Sequence, residues 1–183
     1  MHRLFVAIDL PEQVKKKIAG IVHRGLAGAR WVPEEQLHLT LRFIGDADDR
    51  VFQEIKRGLA RVSGAPFSLS LKGIGHFPPR GGPRVLWVGV EGAVELSALQ
   101  ERIEKEIVTI GIEAERRRFS PHITVARLKD IPHGKVEQLE EKNREFSAGP
   151  FPVDEFYLYS SVLTGEGAIH KRESIYRLGK ELN

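Results

Sequence analysis

Two short segments of this 183-residue chain carry residues that could do acid–base chemistry. Leu37-His38-Leu39-Thr40-Leu41-Arg42-Phe43 and Pro121-His122-Ile123-Thr124-Val125-Ala126-Arg127 share a His-aliphatic-Thr-aliphatic core and lie about half a chain apart. On an extended strand successive side chains point to opposite faces, so the His and Thr of each copy leave one face together while the aliphatics anchor the other. A lone His-x-Thr is usually a solvated strand pair. Two copies in the same phase point instead to a duplicated arrangement that sets the strands side by side. Two imidazoles facing one cavity suit phosphoryl chemistry: a neutral ring takes a proton from water or a hydroxyl, and a protonated ring delivers one to the leaving oxygen. The threonine hydroxyls can donate to the non-bridging oxygens and hold the phosphorus between the rings. This scheme needs neither metal nor cofactor.

Other chemistries find less support. No His-x-His or His-Glu-x-x-His spacing occurs, and His2, His23, His76, His133 and His170 form no ligand pattern, so no metal site is expected. There is no Gly-x-Ser-x-Gly elbow. Gly134-Lys135 is followed by Val136 and Gly179-Lys180 by Glu181, which leaves ATP without a P-loop seat. The absence of cysteine excludes disulfides, a thiol nucleophile and Cys-ligated metals, and makes the cytoplasm the default expectation. The N-terminal apolar run is broken at Asp9 and Pro11, too early for a signal segment, and no stretch approaches the ~20 apolar residues of a membrane span. A net charge of +3 and a pI near 9.2 permit a polyanionic partner without demanding one.

The elements that must position the two motifs alternate between helix and strand. Leu4 to Leu10 reads as a strand, and a helix opens with Pro11 at its first position and carries the stripe Val14, Ile18, Ile21, Val22, Gly25. Arg30 to Leu37 reads as an extended connector into the strand His38 to Ile44. A second helix carries Val51, Phe52, Ile55, Leu59 and Val62, and a third carries Leu96, Leu99, Ile103, Ile107 and Ile110. Strands are expected at Phe67 to Leu71 and Val85 to Val90, with a Gly/Pro-rich surface loop from Gly73 to Arg84 between them. The pattern closes with a strand Ile123 to Leu128, a short helix Val136 to Asn143, and strands Val153 to Val162 and Ile175 to Leu178. Helices are too few for a doubly wound sheet, so the class is α+β, with residues 1–183 forming a single domain.

These segments together resemble the 2H phosphoesterases, and among them the bacterial and archaeal RNA 2′,3′-cyclic phosphodiesterases, historically called 2′-5′ RNA ligases. The resemblance covers nearly the whole chain. It runs through Leu4-Phe5-Val6-Ala7-Ile8, Trp31-Val32-Pro33-Glu34, the first motif with Phe43-Ile44-Gly45, and Gly73-Ile74-Gly75-His76-Phe77-Pro78. It continues through Val85-Leu86-Trp87-Val88-Gly89-Val90, Phe119-Ser120 with the second motif, and Tyr159-Ser160-Ser161-Val162-Leu163. It implies two pseudo-symmetric lobes, each an antiparallel sheet with outer helices, flanking a central groove to which each lobe contributes one His-x-Thr. It also implies a substrate, an RNA or nucleotide 2′,3′-cyclic phosphate end opened to the 2′-phosphate, with possible reversible 2′-5′ ligation.

By the same resemblance His38 is the acid and His122 the base, Arg127 helps hold the phosphate, and Phe43 stacks on the terminal base. A regular strand would put Arg127, five residues after His122, on the wrong face, so a bulge or the strand end must turn it inward. Phe43 could equally be a core residue. Arg42 and His76 read as surface residues, Trp31, Trp87 and Tyr176 as packing. The run Arg116-Arg117-Arg118 could steer RNA or simply be a solvated edge. The rival from another class is a non-catalytic module that binds RNA ends, against which stand two intact proton-transfer groups. A monomer without an obligatory protein partner is the default.

Overall fold

Leu4 to Ile8 are all but inaccessible to water, and the strand they form, β1 (His2–Asp9), is an inner strand of the first of two antiparallel sheets. The computed structural model describes residues 1–21, 26–92 and 94–179. β1 lies between β3 (His38–Ala47) and β8 (Glu155–Thr164), and β8 also pairs with β9 (Gly167–Arg177), giving the order β3-β1-β8-β9. The second sheet has the order β2-β6-β5-β4-β7, built from β2 (Ala29–Trp31), β4 (Phe67–Phe77), β5 (Val85–Glu91), β6 (His122–Leu128) and β7 (Ser147–Val153). Every pairing is antiparallel.

Four helices cover the sheets among the described residues: α1 (Glu12–Ala19), α2 (Asp49–Leu59), α3 (Val94–Thr109) and α4 (His133–Lys142). α2 and α3 pack on each other and on β3, whereas α1 lies against β7 and α4 against β4. The stripe Phe52, Ile55, Leu59 of α2 and the stripe Leu96, Leu99, Ile103, Ile107 of α3 are buried, as the 3.6-residue period requires. α2 opens on Asp48, whose carboxylate accepts the N–H of Val51 and satisfies a donor the helix cannot. One hydrophobic cluster runs through both lobes and includes Leu39 and Leu41 between the motif residues of β3, and Ile123 and Val125 of β6. This is the expected two-lobed α+β architecture. No described helix is long and apolar enough to cross a membrane.

Several boundaries differ from expectation. Pro11 stands just before α1 rather than within it, and Val14 and Ile18 of its stripe are buried; Val22 and Gly25 lie outside the described residues. The connector from Arg30 contains the short edge strand β2 and a 3₁₀ turn, Glu34–Gln36. The loop expected from Gly73 begins only after Phe77, because β4 resumes pairing past a register shift between Leu71 and Ile74. Val153 to Val162 is not one strand: β7 ends at Val153 in the second sheet and β8 starts at Glu155 in the first. The last strand begins at Gly167, eight residues before Ile175.

Candidate active site

Both motif strands are bulged at the same place. On β1, Asp9, Ala7 and Phe5 alternate along one face, and their partners on β3 are His38, Thr40 and Phe43. On β5, Gly89, Trp87 and Val85 alternate likewise, opposite His122, Thr124 and Arg127 on β6. Thr and the residue three beyond it can share a face only because an extra residue is absorbed between them, and Leu41-Arg42 and Val125-Ala126 are the doubly buried pairs that result. The bulge turns Arg127 onto the face of His122 and Thr124, and it brings Phe43, 48 % exposed, out beside His38 and Thr40. β3 and β6 lie against each other across the two sheets, so the two motif strands are neighbours.

Each histidine is anchored in the same way. His38 Nδ1 lies 2.7 Å from the carbonyl oxygen of Gln36, and His122 Nδ1 lies 2.8 Å from that of Ser120. A carbonyl only accepts, so the proton sits on Nδ1 and Nε2 of each ring is left to exchange protons. The surroundings are less alike. Burial pushes the His38 pKa down to about 4; the Gln36 carbonyl and Asp9 pull it upward, and His170 and Lys15 lower it further. His38 is therefore neutral at neutral pH in the ligand-free protein. His122 meets the ring of Phe77 edge-on at 5.0 Å.

Around His38 the first sheet builds an aromatic platform. Phe5 stacks on Phe43 and on Tyr159 with centroids 5.7 and 5.2 Å away, and the His38 ring lies 5.0 Å from it. A cavity of about 430 Å³ opens beside His38, lined by Phe5, Gln36, Tyr159, His170 and Arg172 among others. His170, set aside on the basis of sequence spacing, stands edge-on to His38 with centroids 5.5 Å apart. It comes from an edge strand that lacks a clear apolar pattern, so composition gave no signal for it. Arg172 reaches back to Asp9 at 2.7 Å and lies over the Tyr157 ring. Asp9 also holds Lys15 at 2.9 Å.

Two expected surface residues are not on the surface. Arg42 is 6 % exposed; it points away from the groove and donates to the Glu104 carboxylate of α3 and to the carbonyls of Phe43 and Glu113. The bulge is what sends it inward. His76 sits beneath α4, paired with Glu140 and edge-on to His133. The basic run is exposed, but Arg116 pairs with Glu113 and Arg117 approaches Glu115 at 3.9 Å, which neutralises part of it. Trp31 and Tyr176 pack against the core, and the Trp87 ring covers Gly75, where a Cβ would lie 2.2 Å from it. No cluster of three or more His, Asp or Glu that could hold a metal ion occurs among the described residues.

Residues 10–164 match the family model of the 2′-5′ RNA ligase superfamily. An RNA 2′,3′-cyclic phosphodiesterase of Thermotoga maritima is 42 % identical over 174 residues, 92 % of this chain and 91 % of that protein. The protein of the same description from Archaeoglobus fulgidus is 34 % identical over 171 residues, 92 % of this chain and 96 % of its own. Among solved structures, a Thermus thermophilus protein superposes with a TM-score of 0.83 at 29 % identity, covering 98 % of this chain and 100 % of that one. Escherichia coli LigT bound to 3′-AMP superposes with a TM-score of 0.77 at 25 % identity, covering 98 % and 99 %. With a bulged His-x-Thr strand in each of its two lobes, the chain belongs to the 2′-5′ RNA ligase superfamily.

Proposed function

We propose that this protein opens RNA 2′,3′-cyclic phosphate ends to 2′-phosphates, with His38 and His122 as an acid–base pair and without metal or cofactor. The observation that carries the reading is the doubled device: each lobe has a bulged strand presenting a carbonyl-anchored His, a Thr and a fifth-position residue on one face. His122 Nε2 takes a proton from water, the water oxygen attacks phosphorus, the P–O3′ bond breaks, and His38 Nε2 gives its proton to O3′. Thr40 and Thr124 donate to the non-bridging oxygens, where a preorganised donor acts on developing charge. Arg127 binds the phosphate through its planar donor fork, and exposed Phe43 stacks on the terminal base. All six residues come from one chain, so a monomer suffices.

Burial makes His38 neutral before substrate arrives, whereas the acid role needs it charged. The phosphodiester anion supplies the missing compensation. Its charge is felt strongly in a dry pocket and favours the imidazolium of His38. The names of the Thermotoga and Archaeoglobus relatives support the same substrate. The same in-line step, with a 5′-hydroxyl in place of water as the attacking group and O3′ again the leaving oxygen, would join two RNA ends through a 2′-5′ bond. The deciding experiment is turnover of a 2′,3′-cyclic nucleotide by the purified protein, with the 2′-phosphate as product. Tight binding of the cyclic end without turnover would leave a binding module.

A further inference from the structure

The short strand β2 brings a second arginine to the phosphate side of the groove. Arg30 is paired directly with Arg127 across the β2–β6 ladder, and partners on neighbouring antiparallel strands project from the same face. That face is the one carrying His122 and Thr124, because Arg127, Thr124 and His122 stand opposite alternate residues of β5. Both guanidiniums are exposed, and neither has a carboxylate within ion-pairing distance among the described residues. Arg42, Arg50, Arg61, Arg116, Arg144 and Arg172 meet acids. Among the described residues Arg30 and Arg127 share their freedom with Arg3, Arg57, Arg80, Arg84, Arg102, Arg118 and Arg177, but they are the two set directly opposite each other, with Arg127 on a motif strand. Two like charges directly opposite on a sheet repel each other, and an anion between or beside them removes that cost.

We propose that Arg30 binds the phosphodiester one nucleotide upstream of the cyclic end, so that the site prefers an RNA strand to a cyclic mononucleotide. This rests on the reading that Arg127 holds the reacting phosphate. A cyclic end offers one phosphate to Arg127, and a second guanidinium on the neighbouring strand then meets the next anion along the chain. A mononucleotide has no such group, so Arg30 discriminates between the two substrates.

The test compares kcat/KM for a 2′,3′-cyclic mononucleotide with that for a short oligoribonucleotide ending in the same cyclic nucleotide. In the wild-type protein the oligonucleotide should be favoured, and in Arg30→Gln the ratio of the two constants should fall roughly tenfold, mostly through KM of the oligonucleotide. The slope of log(kcat/KM) against log[salt] for the oligonucleotide should become shallower by about one half to one. Arg30→Lys, which keeps the charge, should recover most of the ratio. An unchanged ratio in Arg30→Gln overturns the proposal, as does an equal loss on both substrates, which would put Arg30 on the reacting phosphate itself. Failure of the wild-type protein to open either substrate overturns the phosphodiesterase reading, and the proposal with it.

Discussion

Burial of His38 should make the fold sensitive to mild acid. In the unfolded chain this imidazole titrates near 6.5; in the folded protein it does so at about 4. Between those values the unfolded state holds a proton that the folded state rejects. The stabilising difference is therefore fully present above pH 6.5 and lost as pH falls through 4. A displacement of that size corresponds to about 3 kcal/mol, of which about 2 kcal/mol is gone by pH 5. Against a typical total of about 5–15 kcal/mol, that loss is easily measured. Urea unfolding at pH 7 and pH 5 of the wild-type protein and of His38→Gln isolates it, since the other titrating groups contribute nearly equally to both. His170 is the exception, because burial lowers its pKa too and it faces His38. The wild-type protein should lose about 2 kcal/mol more than the variant over this interval. An equal loss in both, or a His38 ring titrating near 6.5 by NMR, would refute the argument. Adding 3′-AMP should raise the His38 titration point, because an anion beside the ring favours its charged form.

The metal-free mechanism requires turnover to persist in excess EDTA; loss on chelation and recovery with a divalent ion would end it. Thr40→Ala and Thr124→Ala should each weaken catalysis less than loss of either histidine, by the roughly 2.7–4 kcal/mol of an oxyanion donor. The double His38→Ala, His122→Ala variant should be little slower than either single one, as for residues acting as a unit. A substrate with an activated leaving group at O3′ needs little protonation, so it should largely rescue His38→Ala and leave His122→Ala inactive; the opposite pattern reverses the two roles. Arg42→Met should destabilise the fold by about 3–5 kcal/mol, measured by urea unfolding, because it strands Glu104, the acceptor shared by Arg42 and the N–H of Glu115.

The motif residues were legible because period-two alternation and duplication are both visible in a string of letters. The side of the strand taken by the fifth residue was not. Counting along a regular strand puts Arg127 opposite His122, and only the bulge, a property of the pairing with β5, brings the two together. The same event at Leu41 buries Arg42, which composition alone assigns to solvent. The other omissions fall largely on sheet edges. β2, β7 and β9 are edge strands, where one rim of the ladder is unpaired, and apolar alternation is weak in these three. Pro150 and Pro152 lie in β7, where an edge position tolerates a residue with no N–H to donate. His170 and Arg30 both come from such strands. The edge strand β3 was read all the same, because buried Leu39 and Leu41 give it a clear apolar alternation.

The order in which the chain visits the two sheets has a further consequence. It leaves the first sheet after β1, returns for β3, leaves again for β4 and β5, and comes back for β8 and β9; α3, reached from β5, packs over β3 before β6 rejoins the second sheet. The lobes are interlaced rather than strung in series. Neither half of the sequence contains a whole lobe, so a cut between the motifs yields two fragments that each lack strands essential to both sheets. Unfolding should then be all-or-none across the molecule. The interlacing also ties the spacing of the two histidines to the integrity of the entire chain, because the chain crosses between the two sheets several times. On the proposed mechanism, the strands that set the distance between the two rings are the same ones that hold the fold together.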